Sequence, residues 1–80
     1  MFEKFTHPQI KEGNQLIATE WDNAIVTIKS MYVWNGVKLV YHERVSETGF
    51  VHGWNTNIDV FLADIASGAL IPTEQTHVAN

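Results

Sequence analysis

Glu43, His52 and Trp54 are the residues whose types could do chemistry together. A carboxylate beside an imidazole can pass a proton. A reaction also needs a nucleophile, an electrophilic donor set and a cleft, and the sequence assigns none of these. Opposed on neighbouring strands, Glu43 and His52 are equally an ordinary favourable cross-strand pair. We therefore expect no catalytic residues.

Metal and cofactor chemistry fares no better. The histidines His7, His42, His52 and His77 show neither an HxH nor an HExxH spacing. Only His52 and Glu43 are expected to converge, whereas a structural zinc takes four ligands. The chain has no cysteine, which removes disulfides, zinc ribbons and thiol catalysis together. Ser30, Ser46 and Ser67 lie in no nucleophile-elbow context, and no glycine pattern suits a phosphate. No metal and no cofactor are expected.

The elements that must position these residues are easier to read. Ala24 to Trp34 and Val37 to Val45 are rich in β-branched and aromatic residues and flank Asn35-Gly36, the preferred type I′ hairpin turn. That turn predicts Trp34 opposite Val37, Tyr32 opposite Leu39, Ser30 opposite Tyr41, Ile28 opposite Glu43 and Val26 opposite Val45. Strict alternation places this set on one core-facing side. Thr27, Lys29, Met31, Val33, Lys38, Val40, His42 and Arg44 fall on the other, mostly wet side, except for a Met31, Val33 and Val40 patch that another element could cover. A four-residue loop, Ser46 to Gly49, leads to a third strand from Phe50 to Trp54. If Val45 faces Phe50, Glu43 faces His52 and Tyr41 faces Trp54.

The period then changes. Ile58, Phe61, Leu62 and Ile65 recur on one helix face. Thr56 is the predicted N-cap, with Asp59 in capping-box position, and Gly68 the stop. Gln15 to Ala18 and Leu70 to Pro72 read as short strands, and Thr6-His7-Pro8 could open a helical turn. Trp21 falls in a polar loop, from which it is expected to fold back over one end of the core. The predicted class is α+β: a small curved antiparallel sheet with one C-terminal helix. The layout resembles a small, partly open SH3-like barrel over about residues 13–72, without any family motif, and such a likeness carries little functional weight.

Eighty residues leave room for one domain, here 1–80 with its core in 13–72 and a polar tail at 73–80. The net charge is −4, and the few bases (Lys4, Lys11, Lys29, Lys38, Arg44) are scattered. Nucleic-acid binding relies on clustered positive charge, so it is not the expected partner. No apolar run matches a membrane span or a signal peptide, and the absence of cysteine suits the cytoplasm. What remains is a non-catalytic binding or regulatory domain acting by protein–protein contact, expected to form homo-oligomers. The alternative is a small-ligand binder or sequestering protein whose aromatic pocket is lined by Trp21, Tyr41, Glu43, His52 and Trp54.

Overall fold

The computed structural model describes residues 3–46 and 48–73. The predicted polar tail lies outside these from residue 74 onward. Six strands and one helix follow in order: β1 (Glu3–Lys4), β2 (Gln15–Ala18), β3 (Ala24–Trp34), β4 (Val37–Val45), β5 (Val51–Asn57), α1 (Ile58–Ser67) and β6 (Leu70–Pro72). They form one antiparallel sheet in the order β5-β4-β3-β2-β6, with β1 alongside the far end of β3. The edge strands β5 and β6 are not paired with each other, so the sheet is not closed into a barrel. Thr6-His7-Pro8 opens no helix.

The β3–β4 turn forms as the sequence predicts, with Asn35 and Gly36 at φ 52° and 76°. From it the register runs Trp34–Val37, Tyr32–Leu39 and Ser30–Tyr41. Then a bulge between Ile28 and Ser30 intervenes, and Ile28 stands opposite His42 and Val26 opposite Arg44. A bulge adds one residue to one strand and so exchanges the faces beyond it. Val26 and Ile28 therefore share the inner face with Met31 and Val40, and all four are buried. Two expectations fall with this. The side read as mostly wet is the core face, with His42 buried beside the Met31 and Val40 patch, which is covered as allowed for, and the predicted core pair of Trp34 and Val37 is exposed.

The second hairpin is also one residue out of the predicted register. The Ser46 N–H donates to the Phe50 carbonyl at 2.8 Å just beyond the strand ends, and Val45 faces Val51. Glu43 then faces Gly53, His52 faces Arg44, Tyr41 faces Asn55 and Trp54 faces His42.

α1 lies on the inner face and carries the chain from β5 at one edge to β6 at the other. Phe61 is fully buried, together with Ile58, and Leu62 and Ile65 pack against the same core. The N-cap is Asn57, whose Oδ1 accepts from the Asp59 N–H at 2.8 Å, not Thr56, which still belongs to β5. Gly68 closes the helix at φ 90°. Thr19 fastens that end, donating its backbone N–H to Ala69 and its hydroxyl to Gly68, both at 3.0 Å. Residues ahead of β2 join the core as well, through buried Ile10 and partly buried Phe5.

Candidate functional site

Because alternate residues of a strand face opposite ways, the corrected register divides the predicted site between the two faces. Trp54 lies on the inner face and Tyr41 and Glu43 on the outer. His52 has inner-face parity but extends beyond the core as an exposed side chain, with its ring 4.7 Å from that of Phe50. The five residues do not converge on one pocket.

On the inner face four rings form a series from surface to core. Trp21 meets Trp54 edge-on at 4.9 Å, Trp54 meets His42 at 4.9 Å, and His42 meets the fully buried Phe61 at 5.2 Å. Trp21 packs over Trp54 but is not the buried lid expected: it keeps 40 % of its surface exposed, with the Arg44 guanidinium 5.8 Å above its ring. A turn holds it there, with Asp22 and Asn23 both at positive φ. These residue types tolerate that conformation better than most. His42 is only 3 % exposed, and its Nδ1 lies 3.1 Å from the Val40 carbonyl oxygen. A neutral ring with its proton on Nδ1 satisfies that contact. Desolvation pushes the His42 pKa down, against smaller opposing effects of the Val40 carbonyl and Asp64.

The outer face carries a polar cluster toward the β3–β4 turn. The Tyr32 hydroxyl donates to Asn55 Oδ1 at 2.6 Å and the Tyr41 hydroxyl to Glu43 Oε2 at 3.1 Å. Accepted by a carboxylate, the Tyr41 proton is held more tightly, and its pKa rises. Lys4 reaches Ser30 Oγ at 3.0 Å and pairs with Glu12. The Lys4 ammonium and the Met31 N–H together hold the Glu12 carboxyl below its ordinary pKa. Lys4, Ser30, Tyr32, Tyr41 and Asn55 line an open groove of about 550 Å³. Glu43 therefore serves Tyr41 and stands opposite Gly53, leaving His52 without the carboxylate the sequence assigned to it.

Toward the opposite end, the outer face turns apolar. Register pairs Val45 with Val51, Ile17 with Ile25, and Ile17 with Ile71. One step beyond the Val26–Arg44 pair, Ile25 stands beside Val45, and both line a groove of about 570 Å³ with Trp21. The result is a row of β-branched side chains, one from each of β5, β4, β3, β2 and β6. Val45 and Val51 are 57 % and 52 % exposed, and Ile25 and Ile71 are exposed too. Sequence reasoning missed this row and the Tyr32–Asn55 pair. Its available signal was the consecutive apolar pairs Leu16-Ile17, Ile25-Val26 and Leu70-Ile71, since a strand apolar on both faces usually has both faces covered.

Among the described residues, no three His, Asp or Glu side chains gather as a metal-ligand set, and no helix is long and apolar enough to cross a membrane. Comparison of the chain with protein-family models, with curated proteins and with solved structures finds no match.

Proposed function

We propose that this chain is a non-catalytic protein-interaction domain, and that its partner docks on the helix-free outer face of the sheet. One observation carries the reading: the apolar row of Val51, Val45, Ile25, Ile17 and Ile71, exposed apart from the half-buried Ile17, although α1 covers the other face. Contiguous exposed apolar surface of this kind marks interaction sites. Trp21, which packs on inner-face Trp54 but also borders the groove of Ile25 and Val45, adds a large half-exposed aromatic beside the row, the type of residue that anchors protein contacts. The acidic balance of the chain disfavours nucleic acid as that partner. We place the domain in the cytoplasm, where a cysteine-free chain needs no oxidising environment. An open SH3-like layout is the architecture we infer, and it adds nothing to the functional argument.

The test is retention of a partner. Immobilised wild-type protein is expected to retain a partner that Val45→Glu, equally folded by circular dichroism, does not. Equal retention by the two would contradict the reading. The outer groove of Lys4, Ser30, Tyr32, Tyr41 and Asn55 supports a second reading, small-ligand binding. A ligand shifting only these residues in an NMR titration would favour it over the first.

A further inference from the structure

The two edges of the sheet differ in how well they resist further pairing. β6 is three residues long and ends in Pro72, and both features blunt an edge. β5 runs for seven residues and has no proline. From Thr48 to Ile58 the chain contains no Asp, Glu, Lys or Arg, so β5 also lacks the charges that protect edges. Val51, His52, Gly53, Asn55 and Asn57 are all exposed.

The hydrogen-bonding direction of this edge follows from the register. Ser46 bonds Phe50 across the second hairpin, and bonded and non-bonded pairs alternate along an antiparallel ladder. His52, Trp54 and Thr56 therefore aim their N–H and C=O groups at β4. Val51, Gly53 and Asn55 aim theirs outward, with no strand beyond them among the described residues.

We propose that a second copy of this chain adds antiparallel along β5, about a twofold axis at Gly53. This goes beyond the proposed function: it takes up the homo-oligomer expected from the sequence and uses a surface other than the outer apolar row. In this register the outward groups of Gly53 pair with those of Gly53 in the second copy, and Val51 pairs with Asn55. On the inner face His52 of each copy stands opposite Trp54 of the other, an imidazole–indole contact of the kind His42 and Trp54 already make within the chain. On the outer face the axis passes the one β5 position where a side chain is excluded: a Cβ at Gly53 would lie 2.2 Å from the Tyr41 hydroxyl. The phenol of each copy thus covers the seam. This register is self-complementary, as a second copy requires, and charge does not oppose it. The chain carries −4, and an uncharged edge lets two acidic molecules meet with no like charges along the seam.

Light scattering on the full chain tests this. Wild type is expected at twice its 9.1 kDa chain mass, with the Val51, Gly53 and Asn55 amides protected from hydrogen exchange. Asn55→Pro removes one outward donor and is expected at single mass. Should that variant not fold, Val51→Lys places a charge at the seam and is expected to weaken the dimer at least about tenfold, which is about 1.4 kcal/mol. Val45→Glu is expected to keep the doubled mass while losing its partner. A single-mass wild type, or a dimer indifferent to Asn55→Pro and Val51→Lys, would overturn the β5 pairing. Either result leaves the apolar row to be judged by Val45→Glu retention alone.

Discussion

The phenol of Tyr41 lies across Gly53, with its hydroxyl 2.2 Å from where a Cβ would stand. An aromatic ring laid over a strand glycine shields backbone that has no side chain of its own. Here it also aims the hydroxyl at Glu43. Gly53→Ala is expected to push the ring aside and break that hydrogen bond. Ultraviolet titration of tyrosinate checks this: Tyr41 ionises above the ordinary tyrosine value in wild type and should move down in Gly53→Ala and in Glu43→Gln. Unchanged titration in both variants would mean that Glu43 does not hold the phenol.

Buried His42 makes stability depend on pH. Unfolded, its imidazole takes up a proton near the ordinary value of 6.5, whereas in the folded core desolvation lowers the pKa. Between the two values the unfolded chain binds more protons, so stability rises with pH across that window. The contribution is complete above about pH 7 and is lost as pH falls from about 6.5 through the folded value. The Tm of wild type should follow this course, and His42→Phe, which keeps an aromatic ring against Trp54 and Phe61, should be flatter. Parallel curves would show that another group carries the dependence.

The helix start can be tested by separating two neighbouring residues. Asn57→Ala removes the oxygen that accepts from Asp59 and is expected to cost about 0.5–2 kcal/mol. Thr56→Ala, one residue earlier within β5, should cost less. Denaturant unfolding of both ranks them, and the reverse order would restore Thr56 as the cap.

Gly36 tests the first hairpin. At φ 76° it occupies a conformation that a β-branched residue resists, so Gly36→Val should cost about 1–3 kcal/mol. An unchanged midpoint would mean that the turn relaxes freely.

Local chemistry was readable where it acts over a few residues. Asn35-Gly36 fixed the hairpin, the recurrence of Ile58, Phe61, Leu62 and Ile65 located the helix, and Gly68 marked its end. The bulge near Lys29 was not readable, because its cause is tertiary: β3 must bury Val26 and Ile28 on the same side as Met31, and strict alternation forbids that. Val26 and Ile28 were read rightly as core. Strict alternation carried their face across the bulge to Ser30, Tyr32 and Trp34 and across to β4, which is why His42 read as wet and Tyr41 as core. A second single-residue error arose at Ser46, whose N–H bonds the Phe50 carbonyl beyond the end of β4, so that Val45 faces Val51 and not Phe50. It moved Glu43 off His52 and dissolved the only proton-transfer pair the sequence offered. The apolar row stayed hidden for a related reason, since its members are assembled by register across five strands rather than by spacing along one.

The most direct measurement of the central claim is methyl NMR on the complex with the retained partner. Methyl groups of Ile25, Val45, Val51 and Ile71 on the outer face should shift or broaden on binding, while those of Val26, Ile28 and Val40, buried on the inner face, should hold their positions. Shifts confined to α1, or to the groove around Tyr32 and Asn55 with the row unmoved, would contradict the assignment of the outer apolar row as the binding surface.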